Sequence, residues 1–439
     1  MELPIKSAAA ILAVSDRFPR TSRRRAVECA IKEKNVTDYA PYNSQFEGGI
    51  KEKYAEFHIA PSNDLIDLSN LVLDIKAQVV DSNGQALGDA IKFNLTNNTL
   101  HSIIRSVTVF FNGVQVEHQN LYSYNALLKT LTGFKPEDLE TYGELIGLNS
   151  PKQWNPVSFT DGNYGNMPIR LSNKLKEVKS HGLHLRGPLA LDIGSTDQYL
   201  VNGVAIRIRL ELAEDAHIIG LAAGNDDDAR LRISSIKLLA THLAMRTNSS
   251  LALEQSLTAG NLVYPFKKYL PKTLVLGAGQ STLSVDNLYL GIVPKSISFF
   301  IMGMTTLTEN KFDTNKQFFP HNNLRNVHIS VDNRVRYNIN TSFPHDANEL
   351  YYHVLKSIGP DSYHLLDKQS WINGSTIVHL DLTNELLEDG MQLNETGNVR
   401  FSIELDKPAE KNLILYLIAE TDATFSINAQ RQVTVTSLG

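Results

Sequence analysis

The chain has 439 residues, of which 42% are hydrophobic and 20% charged, with a net charge of −5 and a single cysteine, Cys29. Single cores stop growing beyond roughly 250–300 residues, so this length calls for at least two domains. The composition excludes a disordered chain, the charge excludes nucleic-acid binding by bulk attraction, and one cysteine excludes a disulfide framework or a cysteine-rich zinc site.

Residues 1–45 read as an N-terminal arm. Ser7–Val14 has the pattern of a short helix, Arg20, Arg23, Arg24 and Arg25 form a basic cluster, and Pro41 breaks any helix further on. The short apolar stretch at its start follows Glu2 and precedes the arginines, which is the wrong order for a signal peptide. The cluster fits contact with an anionic partner, such as packaged nucleic acid or an inner membrane, or a solvated tether lying on a neighbouring subunit.

From Tyr54 the hydrophobic period is two. Phe57 and Ile59 lead into the turn Pro61-Ser62-Asn63-Asp64, and Leu71, Leu73, Ile75, Ala77 and Val79 then alternate with more polar neighbours. Val107, Val109 and Phe111 form the next strand. Asn112-Gly113 turns the chain, Val114 and Val116 start the return, and Leu127, Leu128 and Leu131 recur at helical spacing before Gly133. Residues 134–200 carry Pro136, Pro151, Pro156 and Pro168 and read as long loops, with His181 and His184 among them. Val204–Leu212 alternates again, Arg230–Met245 reads as the last strand of the first half, and Thr247–Gln255 reads as the linker between the halves.

The second half repeats the first. Val327, Ile329 and Val331, the turn Asp332-Asn333, Val335, and then Leu350, Val354, Leu355 and Ile358 reproduce the strand–turn–strand–helix unit, with Val327 lying 327 − 107 = 220 residues after Val107. Leu128-Lys129 and Leu355-Lys356 hold matching places in the two helices. Val399–Leu405 mirrors the strand at Val204, and the unbroken apolar run Leu413–Ala419 reads as a strand buried on both faces. The expected fold is all-β: two tandem eight-stranded jelly-roll β-sandwiches with short helices in loops. The expected boundaries are 1–45 for the arm, 46–247 for the first roll and 248–439 for the second.

No catalytic, cofactor or metal site emerges. Gly277-Ala278-Gly279 lacks the third glycine and the helix of a dinucleotide turn, the histidines show no metal-ligand spacing, and no G-x-S-x-G elbow occurs. Trp154 and Trp371 read as anchors of loops on a core rather than platforms for sugars.

Several ordered segments resemble the major capsid proteins of the Polinton/Maverick and adintovirus group. They are Glu56–Ile59, Asp64–Ser69, Asn97–Ile104 and Tyr122–Leu128, then Gln198–Val204, Tyr264–Phe266 and Gln280–Lys295, and finally Ala419–Arg431. The resemblance implies a double jelly-roll capsid subunit of a double-stranded DNA virus or virus-like mobile element, resident in the virion, made in the host cytoplasm and free of catalysis. It implies a homotrimer with a six-lobed outline that meets neighbouring capsomers, penton and minor capsid proteins. The competing expectation is a tandem jelly-roll carbohydrate-binding or glycan-processing protein, which needs exposed aromatics beside paired acids.

Overall fold

The computed structural model describes residues 30–43, 53–85, 93–134, 138–148, 182–221, 229–309, 311–312, 314–358, 367–383 and 395–437. The first half holds β1 (Ile31–Tyr39), β2 (Tyr54–Ile59), β3 (Leu65–Val80), β4 (Phe93–Leu95), β5 (Ile104–Phe111), β6 (Val114–Gln119), β7 (Leu183–Pro188), β8 (Ile206–Leu212), β9 (Ile219–Leu221) and β10 (Arg230–Met245). Two sheets result, in the orders β1-β10-β3-β7 and β2-β8-β5-β6, with β4 and β9 as a small separate pair.

The second half holds β11 (Leu262–Leu276), β12 (Thr282–Ile292), β13 (Ser296–Gly303), β14 (Leu324–Val331), β15 (Arg334–Asn340), β16 (Val378–Asp381), β17 (Thr396–Leu405), β18 (Leu413–Ile427) and β19 (Val433–Ser437). Its sheets run β11-β18-β13-β16 and β12-β17-β14-β15, with β19 added beside β18. Matched in chain order, the eight strands of each half occupy identical places. β1 corresponds to β11, β5 to β14, β8 to β17 and β10 to β18. This is one jelly roll written twice, and the crossovers between non-consecutive neighbours are its Greek-key connections.

Local chemistry explains why the units repeat. Both hairpins turn on two residues with positive φ: Asn112 (47°) and Gly113 (82°) in one, Asp332 (46°) and Asn333 (63°) in the other. Such turns carry the twist that the flanking strands need, and Asn, Asp and Gly tolerate them. Each hairpin leads to a helix, Tyr122–Gly133 in the first roll and Asn348–Ile358 in the second. Leu127 in one and Val354 in the other face the core of their own sandwich.

Three expectations need correction. Ile31–Tyr39, read as part of the arm, is edge strand β1, paired with β10 from Ile31↔Met245 to Tyr39↔Leu238. Its middle residues are solvent-exposed, so it carries no hydrophobic alternation to read. The stretch from Thr247, read as a linker, is a helix, Thr247–Ala259, seated by Leu253 and Leu257. His184, read as a loop residue, lies on β7 and faces Asp74 at 3.1 Å.

β11 is an edge strand although it contains Pro265 and Pro271. The N–H groups of Lys267 and Tyr269 point away from β18 to Ser195 and Asp192, and the two prolines share their parity, so both missing N–H groups fall on that outer side, where no ladder bond is lost.

Candidate interaction surfaces

The four arginines proposed for an anionic partner, Arg20, Arg23, Arg24 and Arg25, lie outside the described residues, as do Trp154 and His181. Trp371 is fully buried and its indole N–H donates to the Ile377 carbonyl at 2.8 Å, so it anchors a loop and offers no platform to a sugar. Among the described residues no three His, Cys, Asp or Glu side chains gather as a metal site. Two of the described histidines, His101 and His321, serve the packing. Burial first, then nearby Lys129, holds His101 down to about 3, and its ring shares a hydrogen bond with the Tyr122 hydroxyl at 2.9 Å. His321 accepts the Asn323 N–H at 2.9 Å and stacks on Phe343.

What the chain does build is a contact between its two rolls. Alternate residues of β18 divide between two cores. Leu413, Leu415, Leu417 and Ala419 face the second sandwich, while Ile414, Tyr416 and Ile418 face the first roll. β13 divides likewise, with Phe299 and Ile301 inside its sandwich and Phe300 and Met302 turned outward. The unbroken apolar run is thus buried on both faces by two different partners. Against it lies the helix Tyr122–Gly133. The Tyr124 ring sits 5.6 Å from Phe300, 5.9 Å from Tyr416 and 6.2 Å from Phe319, and its hydroxyl donates to the Lys316 carbonyl at 2.9 Å. The Tyr416 hydroxyl donates back to Asn125 at 3.2 Å.

A second set of contacts is polar. Arg431 donates to the Asn202 carbonyl at 2.7 Å, to Asn202 Oδ1 at 2.8 Å and to Glu254 at 2.5 Å, while its own carbonyl accepts from Asn112 at 2.7 Å. One side chain so joins the first roll, the connecting helix and the C-terminal hairpin. Deeper in, Lys129 donates to Asp192 at 2.7 Å and to the Ala190 carbonyl at 2.9 Å, and Asp192 accepts the Tyr269 N–H of the second roll at 3.0 Å. Glu117 accepts the N–H groups of Asp192 at 2.8 Å and Ile193 at 3.0 Å. Burial, and then the Asp192 charge, pushes the Glu117 carboxyl up, with Lys129 and the two N–H groups opposing.

The sign of the pH dependence follows. A carboxyl raised in the folded state contributes stability that is present at acidic pH and lost as pH rises toward neutrality. Lys129→Met leaves two buried carboxylates without their cation, so it is expected to cost about 3–5 kcal/mol near pH 8. The cost should be smaller near pH 5, where one carboxyl holds a proton. Urea denaturation at both pH values checks this; an equal loss at both would contradict it.

The two rolls differ in what remains open. The helix of the first roll is covered by the second, but the equivalent helix Asn348–Ile358 leaves Tyr352 62% exposed. The outer face of the second roll's β11-β18-β13-β16 sheet is covered, but the equivalent face of the first roll leaves Val36 57% exposed. Around Val36 that face carries Lys237 paired with Asp38 at 3.3 Å, and His184 and Arg186 paired with Asp74 at 3.1 and 3.6 Å.

No protein-family model and no curated protein sequence matches the chain. Solved structures do match over nearly full length. A chain of the Sputnik virophage structure is 13% identical with a TM-score of 0.64, covering 96% of this chain and 92% of that one. The mavirus major capsid protein is 12% identical with a TM-score of 0.54, covering 100% and 95%. The Faustovirus major capsid protein is 8% identical with a TM-score of 0.54, covering 93% and 92%. At such identities the likeness carries the fold alone, and with the strand orders above it establishes this chain as a double jelly roll.

Proposed function

We propose that the chain is the major capsid protein of a double-stranded DNA virus or virus-like mobile element, and that three copies form a pseudo-hexameric capsomer. One observation carries this reading. The contact between the rolls is head-to-tail, with the helix side of the first set on the outer sheet face of the second. Among the described residues nothing covers the complementary pair of surfaces, the helix Asn348–Ile358 around Tyr352 and the outer face of β1-β10-β3-β7 around Val36. The same contact made between chains uses those two surfaces. Head-to-tail contacts form a closed ring when the rotation closes, and two rolls per chain in three chains give six similar walls. An assembly held this way should bury above ~2,000 Å² per interface, as obligate oligomers do.

The narrower placement beside the Polinton/Maverick and adintovirus proteins rests on the sequence segments cited above. The solved capsid structures of similar fold support location in a virion and assembly with neighbouring subunits, to which the proposal adds contacts with penton and minor capsid proteins. In this reading the arm extends to about residue 30, the divide between rolls falls in the helix Thr247–Ala259, and the arginine cluster contacts nucleic acid or an inner membrane. No catalysis is called for.

The test is direct. Purified protein should run as three copies of the 48.9 kDa chain and show six-lobed particles in negative stain. A monodisperse monomer at micromolar concentration would end the proposal.

A further inference from the structure

The two hairpin tips are built alike but present opposite chemistry. Asn112 and Asp332 hold the same place, at φ 47° and 46°. The Asn112 N–H donates to the Ala205 carbonyl at 2.9 Å, and Asn112 Oδ1 accepts the Ala205 N–H at 2.8 Å. The Asp332 N–H donates to the Asn398 carbonyl at 3.1 Å, and Asp332 Oδ1 accepts the Asn398 N–H at 2.9 Å. The remaining side-chain atom is an amide nitrogen in one tip and a carboxylate oxygen in the other. In the first roll that nitrogen donates to the carbonyl of Arg431, in the second roll, at 2.7 Å. In the second roll Asp332 is exposed, and among the described residues its Oδ2 accepts no hydrogen bond.

Strand register locates the counterpart of the Arg431 turn. β11 starts against the end of β18 at Leu262↔Ile427, and β1 starts against the end of β10 at Ile31↔Met245. Beyond Ile427 the chain turns through Asn428 and Arg431; beyond Met245 it passes through Arg246 into the helix Thr247–Ala259. Arg246 is exposed, and among the described residues its side chain pairs with no carboxylate. The first turn of the helix carries no acidic residue.

We propose that Asp332 of one copy accepts a hydrogen bond from the Arg246 guanidinium of the next. The tip of the second roll then docks on the neighbouring copy as the tip of the first roll docks within its own chain. This contact rests on the trimer reading and adds the polar pair that sets which tip goes where. Within the chain an amide donor meets a carbonyl; between chains a carboxylate meets a guanidinium, a stronger, charge-assisted bond. The inversion keeps the two contacts from being exchanged. Asp332 set on the Arg431 carbonyl would bring oxygen against oxygen, and the Asn112 amide set on Arg246 would bring donor against donor.

The test is mass photometry of the full chain over a dilution series in sub-denaturing urea, with circular dichroism to check folding. Asp332→Asn keeps Oδ1 for the Asn398 N–H and reproduces the Asn112 tip, so the roll should fold while a donor replaces the acceptor. Each contact should weaken about tenfold, and with three contacts per ring the concentration at half-dissociation should rise about thirtyfold. Arg246→Glu, which sets two carboxylates face to face, should weaken trimers at least as much. The double variant should return to within about threefold of the unaltered chain, because the new amide donates to the new carboxylate. Trimers undiminished in both single variants would overturn this contact and leave the trimer reading standing; a monomeric unaltered chain would overturn both. Weakened single variants with no recovery in the double would overturn the direct pairing. Should one single variant fail to fold, the other decides: undiminished trimers in it overturn the contact.

Discussion

Tyr124→Ala is expected to lower the unfolding free energy by about 3–5 kcal/mol, within the range of fully buried aromatic truncations. Its ring has aromatic neighbours on β13, on β18 and at Phe319 between β13 and β14, so the cavity left behind is walled by residues that cannot all move into it. Removing the hydroxyl also takes away the hydrogen bond it donates to the Lys316 carbonyl. Tyr124→Phe separates the two contributions and should cost about 1 kcal/mol, the usual worth of one hydrogen bond. Because the side chain belongs to the contact between rolls, its loss should also split unfolding into two transitions, one per sandwich. Denaturation followed by fluorescence and by circular dichroism would show whether the curves part. A loss below about 1 kcal/mol for alanine would mean that the rolls are held together elsewhere.

Tyr352→Glu tests the other half of the argument. The side chain is 62% exposed in the single chain, so the substitution should change monomer stability by no more than about 0.5 kcal/mol. In the proposed ring the same residue is buried against the outer sheet of the next copy. A buried charge without a partner at the centre of an interface costs 2 kcal/mol or more, and a trimer suffers it three times. The expected result is a folded monomer where the unaltered chain gives trimers. Val36→Glu, on the opposing sheet face, should do the same. Trimers of undiminished stability in both variants would remove these surfaces from the interface.

Much of the fold could be read from residue order alone, for identifiable reasons. Half-buried strands such as β8 and β17 alternate apolar and polar residues because one face meets a core, and the hairpin turns declare themselves through Asn112-Gly113 and Asp332-Asn333. The run Leu413–Ala419 signalled a strand with two covered faces, although only the structure shows that the second cover is the other roll. β1 was invisible because an edge strand with solvent on both sides of Lys32–Thr37 needs no apolar pattern. The joint at Arg431 was equally hidden. It depends on Asn202 and Glu254, about 230 and 180 residues away, and no local spacing encodes a meeting over that distance.

The two prolines of β11 bear on how copies of this protein can meet. A long outer strand with free amide groups is a template on which a stray segment can grow a cross-β stack. Pro265 and Pro271 remove two donors from that margin, so it cannot be zipped by another backbone along its length. Copies are then left to recognise one another through side chains on broad faces, which keeps crowded subunits from fusing into fibres.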